Sequence, residues 1–357
     1  MPDPVSDSVP EGLSLGSDAT PDPEWCRVAV RDVSRTFALT VDVLEEPMAS
    51  EITLGYLLCR VPDTIEDTEQ IPPDQQAGLL RRYEQALDPA AGATIGEFRA
   101  AVDRWLPPEA DRSDDWRVVA AAPTVVATFA ALPQSSREAI RPPVRELVDG
   151  MATFVDRYAD AGGIRIQTKA ELEEYCHYAA GTVGELITRL LAPAADPDRR
   201  EIMENTAGSF ARLLQLVNVA KDVYDDYTDE NNVYLPAAWL AEEGVSQEEI
   251  LAADNRAGVT RAVERTAALA RAQLNAAGRY LAAMPLARGN TLAAWAVPYL
   301  LAVGTLRELE AAPGAALEDE RVAVSRPEVF AVVEAVRRGD RSDVPHLRAL
   351  IEREPLD

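Results

Sequence analysis

Apolar residues recur at spacings of three and four along almost the whole chain, and no run alternates apolar with polar as a half-buried strand would. The pattern predicts helices over Trp25–Leu44, Ala49–Asp67, Gln75–Leu87, Ile95–Trp105, Trp116–Ala131, Ser136–Tyr158, Lys169–Leu191, Arg199–Tyr227, Ala257–Met284, Thr291–Leu309 and Pro327–Arg338. Breaks fall at Pro72-Pro73, Pro107-Pro108, Gly162-Gly163, Pro193 to Pro197 and Pro313-Gly314. About a dozen helices that must each bury one stripe, with no strands to cover, imply an all-α class: one helical bundle around a shared interior. Residues 1–22 are rich in Pro, Ser, Asp and Glu and lack the basic and apolar regions of a signal peptide. They are expected to be a disordered acidic tail ahead of a helical domain over 23–357.

Two of these helices carry clustered acids after long apolar runs. Asp63, Glu66 and Asp67 follow Ile52–Val61, and Asp222, Asp225 and Asp226 follow Phe210–Val219. Spacing of i, i+3 and i+4 stacks each set on one helix face. Carboxylates so placed repel one another and call for a cation. Oxygen-only ligands suit Mg²⁺, or Mn²⁺, which binds through a few carboxylates plus substrate phosphates. Two such faces set opposite each other would hold a diphosphate between metal ions, the arrangement that ionises an allylic diphosphate. The same spacing occurs at Asp42–Glu46, Asp111–Asp115 and Asp226–Glu230. The first runs into Pro47, the second is expected in a loop of Pro, Arg and Ser, and the third enters a polar turn at Asn231-Asn232.

Acids outnumber bases 60 to 35, a net charge of −25, and Lys169 and Lys221 are the only lysines. This excludes a nucleic-acid partner and disfavours an anionic membrane surface. An acid excess spread along the whole chain suits a protein working at high internal salt, as in a halophilic archaeon, and predicts loss of structure in low-salt buffer. Cys26, Cys59 and Cys176 have no paired spacing, so neither a disulfide framework nor a zinc site is indicated, consistent with the cytoplasm. The uncharged stretch Asn290–Leu306 is expected to be a buried core helix rather than a membrane span.

Other residues around the clusters invite chemistry. Arg60 lies one turn before Asp63, placed for phosphate or for a helix ion pair, and Arg35 sits in an apolar helix, where its partner is pyrophosphate or an internal carboxylate. Gln215 and Asn218 precede Asp222 on the apolar run, and the Asn218 amide oxygen at i−4 is placed to join the carboxylates on a metal. Lys221 reads as a phosphate contact or a solvated pair. In Tyr175-Cys176-His177-Tyr178-Ala179-Ala180-Gly181-Thr182-Val183-Gly184 the glycines imply close approach of a ligand or helix. Tyr175 there is a proton-handling group, a wall for a cation, or core.

Ser34-Arg35-Thr36-Phe37, Tyr56 to Asp67, Tyr175 to Gly184, Gln215 to Asp226 and Tyr234-Leu235-Pro236 resemble, in order and separation, the squalene/phytoene synthase family. The resemblance covers about Trp25 to Arg326 and leans toward the squalene synthases within it. It implies a single isoprenoid synthase-type helical domain around a hydrophobic tunnel. It implies that two farnesyl diphosphates bind there and that Mg²⁺ is held by Asp63, Glu66, Asp67, Asp222 and Asp226. Condensation to presqualene diphosphate would be followed by NADPH reduction to squalene. By the same resemblance Tyr175 handles the proton lost in the first step and Tyr56 lines the site. Arg35, Arg60 and Lys221 would meet diphosphate or cofactor phosphates, and Arg326 would represent a cofactor loop. A monomer is expected, touching the bilayer at most peripherally. The alternatives are phytoene synthesis from geranylgeranyl diphosphate without reductant, dehydrosqualene synthesis, and a non-catalytic acidic helical protein. The chain departs from the family's pattern at Asp225, usually Glu, at Asn232, commonly Arg, and in the short Val322 to Arg326 loop. It carries no Gly-rich dinucleotide fingerprint.

Overall fold

The computed structural model describes residues 19–285, 291–319 and 322–356, apart from the side chains of Arg35, Thr36, Leu39 and Thr291. Helices make up its regular structure; no strand occurs among the described residues, and a single isolated bridge pairs Arg165 with Val233. Residues 1–18 of the expected tail lie outside the described residues.

Local chemistry sets the helix boundaries. Helix α1 (Pro23–Val33) opens on Asp22, whose carboxylate accepts from the Trp25 amide at 2.9 Å. The single helix expected over Trp25–Leu44 is in fact two. Ser34 leaves helical backbone at φ −152° and caps α2 (Arg35–Asp42) by accepting from the Phe37 amide at 3.2 Å. Helix α3 (Met48–Glu66) runs through Pro62 to the first acid cluster. Helices α4 (Pro73–Leu87) and α5 (Ile95–Val102) follow. The expected helix over Trp116–Ala131 is likewise divided, into α6 (Asp114–Ala120) and α7 (Ala122–Ala130), because Pro123 in the first turn of α7 has no amide to continue the ladder.

Helix α8 (Gln134–Arg157) is followed by α9 (Lys169–Cys176) and α10 (Thr182–Leu191), joined by a π-helical turn at His177–Gly181. Helix α11 (Pro197–Lys221) turns a corner at Asp222 into α12 (Val223–Asp229). Next come α13 (Ala237–Glu242), α14 (Arg256–Ala283), α15 (Thr291–Ala311), α16 (Arg326–Arg338) and α17 (Val344–Ile351). Periodicity did not predict α13 and α17, which are too short to repeat a stripe.

The long helices pack around one interior. Helix α8 lies against α3, α4 and α10, while α11 packs along α14 and α15. Gly184 permits the α10–α11 contact, since a Cβ there would sit 3.0 Å from the Ala211 Cβ and 3.1 Å from the Ala207 carbonyl oxygen. Tyr83, Phe98, Phe129 and Phe154 are fully buried, each worth about 1.5–3 kcal/mol in transfer free energy. Leu292–Ala311 is long and apolar enough to cross a membrane, yet 72% of its most apolar 18-residue window is buried inside the fold, as expected of a core helix.

Candidate active site

The apolar face of α3 buries Leu57, Leu58, Val61 and Ile65, so the helix is held rigidly where its acids emerge. Asp63, Glu66 and Asp67 bring one carboxylate oxygen each within 4.8 Å of one another. Full charges that close repel by roughly 3–4 kcal/mol per pair at an effective dielectric near 20. Burial, then Asp63 and Glu230, push the Glu66 carboxyl up to about 8. Burial, then Asp63, Glu230 and Glu66, raise Asp67 well above the usual carboxylate range. Glu66 is only 8% exposed, and its Oε1 has no hydrogen-bond partner. Arg60 is the cation on this side. It pairs with Asp63, and its Nε donates to Asp115 Oδ1 at 2.8 Å. The expectation of a loop over Asp111–Asp115 is therefore corrected: Ser113 caps α6, and α6 carries Asp115 to Arg60.

The second cluster bends without breaking. Asp222 sits at φ −100°, ψ 17°, its amide donates to the Asn218 carbonyl at 3.0 Å, and the Asp226 amide donates to the Asp222 carbonyl at 2.8 Å. Hydrogen bonding thus continues through the corner, and Lys221 pairs with Asp222. Burial, then Glu230 and Asp222, push Asp226 up to about 9. Gln215 is half-buried on α11. Asn218 is exposed, with no described contact to the carboxylates.

The two clusters converge on a pair of tyrosines. The Tyr175 hydroxyl donates to that of Tyr234 at 3.1 Å, and the rings stack with centroids 4.7 Å apart. Both are buried. Burial raises Tyr175 well above 10, with Glu66, Asp67 and Asp226 adding to the shift, so acids of both clusters act on one hydroxyl. Tyr234 is raised in the same way by burial, then Tyr175, Glu66, Asp226 and Glu230.

Backbone pairing sets this arrangement. Val233 donates to Ile164 at 2.8 Å and accepts from Ile166 at 3.1 Å, while Arg165 bonds the Asn231 carbonyl and side chain. A Cβ on Gly163 would overlap the Asn231 carbonyl, so the loops before α9 and after α12 meet only because that residue is glycine.

An apolar chamber of about 270 Å³ opens beside the first cluster. Asp63, Arg60, Cys59, Tyr56, Gly55 and Ile52 line it down one side of α3, a run of roughly 16 Å at 1.5 Å per residue. Ala179, Val183, Leu186 and Ile187 face them, with Phe37 stacked on Tyr56 at 4.2 Å and Trp295 from α15. A second cavity, of about 390 Å³, lies on the other side of the cluster among Glu66, Asp67, Glu230 and Asn232.

A carboxylate-only donor set and the orphaned Glu66 oxygen at Asp63, Glu66 and Asp67 fit a hard divalent cation. A nicotinamide dinucleotide fits less well. Arg326 is exposed at the start of α16 without a described contact to either cluster, and neighbouring residues 320–321 lie outside the described residues. The Arg35 side chain does also.

Tyr175 was singled out from sequence, whereas Asp115, Glu230, Asn232 and its partner Tyr234 were not identified as site residues. The acid spacing at Asp226–Glu230 was the available signal, but the polar turn after it read as solvent-facing.

The family model described as Squalene/phytoene synthase matches residues 30–328, and the chain belongs to that family. It is 28% identical over 210 residues to a squalene synthase of Schizosaccharomyces pombe, covering 58% of this chain and 42% of that one. It is 26% identical over 224 residues to a presqualene diphosphate synthase of Botryococcus braunii, covering 61% and 50%. The chain thus spans about half the length of these relatives or less. Among solved structures, TcSQS with the ligand BPH1237 superposes with a TM-score of 0.74 at 19% identity, covering 93% of this chain and 97% of that one, a likeness of fold.

Proposed function

We propose that this protein condenses two farnesyl diphosphates head to head into presqualene diphosphate, dependent on Mg²⁺, and carries the product on to squalene when NADPH is supplied. The convergence of two carboxylate walls on the Tyr175–Tyr234 pair beside an apolar chamber carries this reading. Relatives named squalene synthase and presqualene diphosphate synthase agree with it. The reductive half rests on those relatives alone.

Bound Mg²⁺ would offset the charge of the leaving diphosphate. Asp63, Glu66, Asp67, Asp222 and Asp226 would hold the cation, with Arg60 beside Asp63 and Lys221 beside Asp222 as fixed positive charges. The chamber walls keep water from the allylic cation while a double bond of the second substrate attacks it. Closing the cyclopropane releases one proton. Tyr175 is a neutral phenol at working pH and cannot keep a second proton, so it acts as a relay. Its own proton passes to Tyr234, and that of Tyr234 passes to the acids or to diphosphate oxygen. A water-insoluble product makes peripheral bilayer contact by a cytoplasmic monomer part of this reading.

Incubation in high salt with farnesyl diphosphate and Mg²⁺, with and without NADPH, tests it by product chromatography. Presqualene diphosphate alone, converting to squalene with NADPH, is expected. Phytoene from geranylgeranyl diphosphate as the preferred product would overturn the substrate assignment. Accumulation of presqualene diphosphate or dehydrosqualene despite NADPH would overturn the reductive step.

A further inference from the structure

We propose that Glu230, which belongs to neither acidic cluster, is a sixth metal-binding carboxylate, and that Asn232 is the positioning residue that presents it. This rests on the reading that the site holds a divalent cation.

Asn232 is buried and its orientation is fixed. Its Oδ1 accepts from the Ile164 amide at 2.7 Å, which forces Nδ2 toward the site. There Nδ2 donates to Glu230 Oε2 and to the Tyr234 hydroxyl, both at 3.2 Å. No described donor reaches the other Glu230 oxygen. Glu230 lines the acidic cavity together with Glu66 and Asp67, and the buried, unpartnered Glu66 Oε1 belongs to that same wall. Glu230 also interacts electrostatically with both clusters, adding to the raised acidities of Glu66 and Asp67 on one side and of Asp226 on the other.

The choice of amide decides what this carboxylate can do. An arginine at 232 would neutralise Glu230 as well as orient it. An asparagine orients it and leaves its charge in place, beside carboxylates already short of counter-charge. A half-buried charge held in that way is costly without a cation and useful with one. Glu230 faces the same cavity as Glu66 and Asp67 while standing outside their tight group, so a cation bound in that cavity would draw it in and extend the first wall.

The test is calorimetric titration of the full chain in high salt at pH 8 with Mg²⁺, alone and with inorganic pyrophosphate, in the absence of prenyl substrate. Glu230→Gln should weaken Mg²⁺ binding about tenfold or more, or remove one bound ion, with helical circular dichroism unchanged. Glu230→Asp keeps the charge and should restore most of the affinity. Asn232→Ala should fall between Glu230→Gln and the natural chain. Wild-type affinity and stoichiometry in Glu230→Gln would overturn the proposal while leaving the parent reading intact. Failure of the unsubstituted chain to take up Mg²⁺ under either condition would overturn both.

Discussion

The Tyr83 hydroxyl donates to the Leu58 carbonyl at 3.0 Å, the oxygen that Pro62, four residues on, leaves without its helical partner. A proline inside α3 would otherwise orphan a buried acceptor one turn from Asp63. The same device recurs in α15, where Pro298 frees the Ala294 carbonyl and the Thr40 hydroxyl reaches it at 3.4 Å. Both helices line the chamber, and each runs past its proline because a neighbouring hydroxyl fills the gap.

Tyr83→Phe keeps the ring and removes only this donor. Leaving the Leu58 oxygen unsatisfied should cost about 1–3 kcal/mol. At roughly 2–4 °C per kcal/mol the melting temperature should fall by several degrees, and Mg²⁺ affinity should fall with it. An unchanged melt measured in high salt would show that the hydroxyl contributes nothing.

Neutralising a clustered acid should separate stability from activity. Above about pH 9, where both groups are ionised, Asp226→Asn and Glu66→Gln each remove charge from a crowded site, so the metal-free protein should there melt higher than the natural chain. Condensation should drop at least about 100-fold because the leaving group loses its support. Parallel melting and turnover assays check this, and a lower melting point in both variants contradicts the picture of mutual repulsion.

The acidities carry a definite sign. Glu66 near 8, Asp226 near 9 and Glu230 near 7 all lie above their unfolded values, so the folded protein binds protons that the unfolded chain releases. The stabilisation they provide is complete below about pH 4 and is lost as pH rises toward about 9. Metal-free protein should therefore lose melting temperature between pH 5 and 9. Glu66→Gln and Asp226→Asn should flatten that slope, and Mg²⁺ binding near pH 7 should release protons, detectable by calorimetry in buffers of different ionisation enthalpy. A slope identical in the variants would assign the effect to surface charge instead.

Trp295 reaches the chamber from α15 as one of its walls. Phe37 stacks on Tyr56, and one turn later the Thr40 hydroxyl donates to the Ala294 carbonyl, which ties α15 to the chamber beside Trp295. Its indole nitrogen is buried without a partner, so the ring is there for its bulk. Trp295→Ala should lengthen the cavity and raise relative use of geranylgeranyl over farnesyl diphosphate about tenfold or more. Competition assays with both substrates check the ratio, and unaltered selectivity would place the floor elsewhere.

Periodicity made the helical class and the two acid-bearing helices readable, because a stripe of buried residues leaves its spacing in the sequence. Ser34 and Ala121 broke two expected helices, since capping and a missing proline amide override a stripe that continues across them. The parts of the site that escaped notice depend on distant partners. Asp115 becomes part of it through Arg60, 55 positions away, and Asn232 through Ile164, 68 positions away. Glu230 looked solvent-facing because nothing local shows that the loop before α9 turns it inward.

The pairing of Val233 with Ile164 and Ile166, locked by Gly163 under Asn231, makes residues 162–168 and 230–237 one interchangeable cassette. Transplanting either half from a relative would mismatch hydrogen bonds and shift Tyr234 against Tyr175. Exchanging both halves together would move the whole hydroxyl–carboxylate assembly as a piece, so engineered chimeras of this scaffold should have their crossovers outside both loops.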